Sequence, residues 1–295
     1  MTHRNALLAI HLGALMFGLS GVLGKLAESS PLTISFGRAL FAVLALLIAS
    51  YLLQPSGARP NWRSRLGLLM GGLLLGGHWV TFFIAVKVAG VGIATLGFAS
   101  FPAFTVLLEG LLFRERTRPI EYGLVLLVCI GLGLVTPGFD LASEATVGLL
   151  WAVLSGFLFA LLALLNRAVT RGIDAVQAAL WQNLAILIAL APFAWVGVAG
   201  MPALDWLWIG MLGVFCTGLA HSLFVASLRV LKARTTSVIF ALEPVYGIAF
   251  AWLLFAEQPT LRMLAGGTLI ILATIASSRL KSTPAPAAEP ARSVS

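Results

Sequence analysis

Ten apolar runs, each about twenty residues long and divided by short gaps, fill this chain and leave little room for anything else. They fall at about 6–26, 32–53, 66–87, 91–112, 119–138, 146–166, 175–198, 206–228, 235–256 and 260–279. A helix needs about 20 apolar residues to cross the hydrocarbon core of a bilayer, so each run has the length of one crossing. The gaps carry turn signals such as Pro31, Pro60, Pro119, Pro137-Gly138, Pro202 and Pro259. None is long enough for a soluble domain. Run length also argues against a membrane barrel, whose strands need only about ten residues and alternate apolar with polar. The fold class expected is an all-α membrane protein with ten transmembrane helices.

Composition agrees. Only 10% of the residues are charged, against about 25% in a soluble domain, so there is too little charge to coat a water-facing surface. The net charge of +8 does not point to nucleic acid, because the basic residues are scattered through the gaps. With the N-terminus in the cytoplasm, 15 of them lie in cytoplasmic segments, in clusters such as Arg59, Arg63 and Arg65, or Arg114, Arg116 and Arg118. Three, Lys25, Lys87 and Arg262, lie on the other side, and Arg38 lies inside a run. That bias predicts a multi-pass inner-membrane protein with both termini cytoplasmic. The first run follows His3 and Arg4 as a signal peptide's would, but Lys25 and Glu28 stand where a cleavage site is needed, so it reads as a retained helix. Cys129 and Cys216 lie in apolar runs without metal or disulfide spacing and read as buried, inert packing. The Pro/Ala-rich residues 281–295 read as a disordered tail.

Shifting the sequence by 142 positions superposes its halves. Lys25 falls on Arg167, Phe101-Pro102 on Glu243-Pro244, and Leu111 to Glu115 on Leu253 to Glu257. Residues 1–141 and 142–280 are therefore expected to be two five-helix repeats. Five is odd, so the second repeat enters the membrane from the opposite side. Inverted repeats of this kind mark secondary transporters, whose site lies near the midplane between the halves.

The Glu243-Pro244 pair, the following Leu253-Leu254-Phe255-Ala256-Glu257, and their weaker echo in the first half resemble the EamA-type ten-helix members of the drug/metabolite transporter superfamily. Within it, the chain is most similar to the bacterial amino-acid exporters. The resemblance spans roughly residues 6–279 and puts the Leu253 to Glu257 segment at the cytoplasmic end of its helix. It implies a central cavity lined by the first, third, fourth, sixth, eighth and ninth runs, with Phe17, His78, Trp79, Phe101 and Tyr246 at its border. The first repeat departs from the second by carrying Phe101 where the second has Glu243, so any acidic function is one-sided.

Polar groups inside a bilayer are costly and each needs a reason. Burial penalises the charged form of Glu243. It is either a substrate-ammonium or proton acceptor, or a structural carboxyl tied to a neighbouring helix. His78 and Trp79 line a cavity or join helices; His221 reads as a helix-joining group. Pro102 and Pro244 occupy equivalent midplane positions and are expected to kink their helices as hinges. Ser100, Phe101 and Phe104 flank one proline, Phe240 and Tyr246 the other. Trp181, Gln182 and Asn183 form a polar-aromatic cluster; Trp181 is taken as a cavity residue and the two amides as interhelical bonds. Arg38 reads more readily as snorkelling to the interface than as a contact for a substrate carboxylate. Gly67, Gly71, Gly72 and Gly76 read as a close-packing stripe.

No nucleotide loop, metal motif or catalytic set appears. The expectation is a monomer that needs no cofactor or metal, has no catalytic residues, meets the lipid bilayer and a small-molecule substrate, and does not bind nucleic acid. It exports amino acids by alternating access. A different metabolite or drug-like solute is the nearest alternative; an intramembrane enzyme or receptor is the alternative of another class.

Overall fold

The computed structural model describes residues 2–53, 60–112, 118–135, 140, 142–170, 172–220, 223, 227, 230–231 and 239–279, with the side chains of 53, 277 and 278 excepted. The 281–295 tail and His221 lie outside the described residues. Within them the chain forms ten helices: α1 (His3–Leu26), α2 (Pro31–Leu53), α3 (Trp62–Phe98), α4 (Phe101–Leu112), α5 (Pro119–Val135), α6 (Glu144–Val169), α7 (Ala175–Ala199), α8 (Ala203–Leu219), α9 (Glu243–Phe255) and α10 (Leu261–Arg279). The expected all-α membrane fold of two inverted five-helix repeats is the fold observed.

Local sequence starts several of these helices. Thr2, Asn61, Ser143 and Asp174 each accept a hydrogen bond from a first-turn backbone N–H, capping α1, α3, α6 and α7. The apolar surface that results is one that only lipid tolerates. Ile188, Phe193, Trp195 and Val196 on α7, and Trp252, Leu253 and Leu254 on α9, are exposed. Cys216 is buried as expected, but Cys129 stands on the exposed face of α5. That corrects its reading as a buried residue and is acceptable for a weakly polar thiol facing acyl chains.

Five helices, α1, α2, α3, α6 and α7, are long and apolar enough to span a membrane; the other five are shorter apolar segments. For α4 and α9 the shortness has a local cause. Gly90 adopts φ 83°, a left-handed conformation that suits glycine, and turns the third crossing directly into the fourth. The fourth crossing then breaks at Ala99-Ser100 before α4 resumes at Phe101. The ninth breaks in the same way at Ala241-Leu242 before α9 begins at Glu243. Under the 142-residue shift these two breaks coincide. Runs that read as unbroken in the sequence are therefore divided at equivalent points. Pro102 and Pro244 do not kink continuous helices but occupy the first turn of α4 and α9, where a missing N–H costs nothing.

The halves exchange helices. α1 packs on α9, and α6 packs on α4, so the leading helix of each repeat lies against the broken helix of the other. Each crossing uses a glycine. A Cβ on Gly18 would come within 2.9 Å of the Glu243 carbonyl oxygen, and one on Gly156 within 2.9 Å of the Phe98 carbonyl oxygen. α3 runs between the halves, touching α1, α2, α6, α7 and α9. Gly71, Gly72 and Gly76 press against Gln182, Ala185 and Ile186 of α7, so the stripe serves packing.

Ion pairs and caps tie the ends. Lys25 of α1 pairs with Glu257 beyond α9, whose other carboxylate oxygen accepts from the Val91 N–H at 3.1 Å. Glu257 thus sits at the Lys25 and Lys87 end of the bundle, not at the end with the arginine-rich loops. The expectations that Lys25 faces outward and that the Leu253 to Glu257 segment is cytoplasmic therefore cannot both hold, since the two share one end. At that end the Asp205 carboxylate accepts the N–H groups of Glu28 and Ser29 at 2.9 and 2.7 Å, fixing the α1–α2 turn to α8. At the opposite end Arg167 of α6 pairs with Glu109 of α4 at 2.6 Å.

Candidate functional site

Arg38 is the feature around which the middle of the molecule is arranged. It lies two turns into α2 and is 4% exposed, so it does not snorkel. Its Nε donates to Thr217 Oγ1 at 2.8 Å and its Nη1 to Ser20 Oγ at 3.1 Å. Its guanidinium lies over the Trp79 ring at 4.0 Å and near that of Phe83 at 5.9 Å. Thr217 can reach it because residues Val214–Leu219 of α8 form a π-helical segment, in which the Thr217 hydroxyl also donates to Leu212 O. Such segments recur at functional positions because they re-aim a side chain without ending the helix.

Glu243 is the second charge of this region. It opens α9, where the helix dipole favours a carboxylate. Arg38 and Glu243 form no ion pair, and no hydrogen bond reaches the Glu243 carboxylate from any described residue. Among the described residues, Asn183 Oδ1 is the side-chain nitrogen or oxygen that is sealed in and lacks a partner. Arg38 Nη2 and the Glu243 carboxylate make no hydrogen bond with any described residue.

The other expected residues divide into three groups. Phe17 and Tyr246 join the Arg38–Glu243 region. Phe17 packs edge-on to Phe240 at 5.1 Å, the Tyr246 hydroxyl bonds His11 Nδ1 at 3.1 Å, and Tyr246 flanks Gly18 beside Glu243. Trp79 is the floor beneath Arg38. His78 and Phe101 belong to an adjoining aromatic cluster. His78 bonds Ser155 Oγ of α6 at 2.7 Å and packs on Phe82, Phe98 and Phe159, while Phe101 stacks on Phe98 at 5.3 Å. Ser100 and Trp181 lie apart. The Ser100 hydroxyl caps Gly97 O at 2.7 Å, and Trp181 meets Arg65 at 5.1 Å near the start of α3. Gln182 makes the interhelical bond its type predicts, to Asn166 at 2.7 Å, whereas Asn183 donates only to Ala179 on its own helix. Pro102 borders a crevice shared with Val106, Glu121 and Thr274; at about 10 Å³ it is too small for a solute.

The EamA-like transporter family matches residues 4–136 and again 146–279. The chain belongs to that family. A transporter of the Bacillus subtilis strain 168 described as uncharacterized, YxxF, is 25% identical over 272 residues, covering 90% of this chain and 86% of its own. The pseudopaline exporter CntI of Pseudomonas aeruginosa is 27% identical, covering 88% of this chain and 92% of its own. The threonine/homoserine exporter RhtA of Escherichia coli K12 is 27% identical, covering 79% and 78%. A solved crystal structure aligns with a TM-score of 0.62 and 20% identity over 95% of this chain and 98% of that one, which shows the shared fold. This EamA-family chain is an integral membrane transporter of a small molecule, and not an enzyme.

Sequence reasoning undervalued Arg38 and passed over Ser20 and Thr217. The signal for Arg38 was available, as an arginine inside an apolar run with no acid within a helical turn. Nothing in the sequence marks the π segment that delivers Thr217.

Proposed function

We propose that this transporter exports amino acids across the inner membrane, with both termini in the cytoplasm, by alternating access around the Arg38–Glu243 region. The observation that carries the reading is the Glu243 carboxylate, which opens a broken helix packed on the leading helix of the other repeat and takes no hydrogen bond from any described residue. A structural carboxyl would be tied to a neighbouring helix. A carboxylate left free at a transporter's centre suits a cation brought by the substrate, and an amino acid brings its ammonium. Substrate and proton then compete for one group, which links their movements.

Glu243→Gln in proteoliposomes tests this. The amide keeps the shape and loses the charge. It is expected to leave the protein folded, lower amino-acid flux by about 100-fold, the scale of losing one buried charge contact, and flatten the dependence of flux on pH. Native flux with the native pH profile would return Glu243 to a structural role.

A further inference from the structure

We propose that Arg38 is the carboxylate anchor of the transport site, so that the site is bipolar and selects solutes carrying a carboxylate and an ammonium on one small frame. The inference rests on the transport reading above and assigns the half of the substrate that Glu243 cannot bind.

An arginine buried in a membrane protein is costly unless its charge is answered. The side chains in contact with Arg38 among the described residues are neutral. Two hydroxyls take two of its five N–H donors, and two aromatic faces lie against its plane. These contacts come from α1, α3 and α8, so three helices hold the guanidinium in one orientation. They leave three donors, including both on Nη2, with no acceptor among the described residues. The free donors form a planar edge of the kind that takes a carboxylate through two parallel bonds.

A structural arginine would be placed differently. It would use its donors on helix carbonyls, or ion-pair with the nearby acid. Here Glu243, which opens the helix packed on Gly18, two residues from Ser20, forms no ion pair with Arg38. Fixed opposite charges held apart are complementary to a zwitterion. Each would be neutralised on binding, and a solute lacking either pole would leave one buried charge unanswered. Thr217 acts through Arg38, as a positioning residue that fixes Nε.

The purified full chain in liposomes, given a panel of L-amino acids, tests the assignment first without mutation. The panel includes the primary amines that result from removing each carboxyl group, and the hydroxy acids that carry a hydroxyl in place of the ammonium. Amino acids are expected to be carried, with the matching amines and hydroxy acids competing about 100-fold more weakly. Arg38→Gln should lower amino-acid flux by about 100-fold and abolish the preference for an amino acid over its amine. Arg38→Lys, which keeps the charge but not the planar edge, should fall about tenfold. Thr217→Val should raise KM about fivefold at an unchanged maximal rate, the scale of one hydrogen bond. An amine carried as well as its parent amino acid, or a preference that survives Arg38→Gln, would overturn the anchor while leaving amino-acid transport standing. If no amino acid is carried and none raises the thermal stability of the purified protein, the transport reading and the anchor fall together.

Discussion

The two broken helices share a backbone and differ in chemistry. Each follows a two-residue break, at Ala99-Ser100 and Ala241-Leu242, and each carries proline in its first turn. Each is gripped by the leading helix of the other repeat through a glycine, Gly156 or Gly18. At the first helical position, however, α4 has Phe101, stacked among Phe98 and Phe159, and α9 has Glu243, with a free carboxylate. The two halves share the backbone of the broken helix, and only the second starts it with a charged residue. Symmetry of the backbone is thus compatible with an asymmetric site.

Three measurements test that division, from the strongest expected effect to the weakest. The two crossings should be equally intolerant, because in both a new side chain would meet backbone, which cannot swing away. Gly18→Leu and Gly156→Leu should each abolish most transport and lower the melting temperature by about 5–10 °C, the scale of overpacking a core. A silent Gly156→Leu would break the mechanical equivalence. The residues that differ should then part company. Phe101→Leu is expected to change flux by no more than about threefold, since it trims an apolar wall, where Glu243→Gln costs about 100-fold. Equal losses would show that the first repeat carries recognition too.

The end pairs should give the smallest effects. Both are partly exposed, and such pairs contribute little individually. Lys25→Gln also frees Glu257, which holds the Val91 N–H, and removes a cation near the Phe255 ring at 4.8 Å. It should raise the labelling rate of a Phe17→Cys reporter by an externally added thiol reagent about two- to fivefold. Arg167→Gln should change external labelling less. The reverse order would mean that the Lys25 pair is not the tighter closure.

Much of this was legible in the sequence. Run length and scattered charge established ten crossings, and the 142-residue shift established the inverted repeat. Short polar caps such as Asn61 and Asp174 mark helix starts by local chemistry, which a sequence displays. The helix breaks were not visible, because Ala99-Ser100 and Ala241-Leu242 have no strong turn propensity; the break arises where packing and a following proline meet. Trp181 was drawn towards the cavity by its type, but its register on α7 sends it to Arg65. Arg38 was misjudged because hydropathy describes one helix in lipid, where a long basic side chain reaches back to water. Burial of its charge depends on Ser20 and Thr217, which come from two other helices.

That dependence sets an order on synthesis. Thr217 lies 179 positions after Arg38, and at ribosomal rates of 5–20 residues per second this is a delay of roughly 10 to 40 s. Until α8 is made, Thr217 cannot hold Nε of Arg38. The contact that fixes the guanidinium is therefore completed only after more than half of the second repeat has been synthesised.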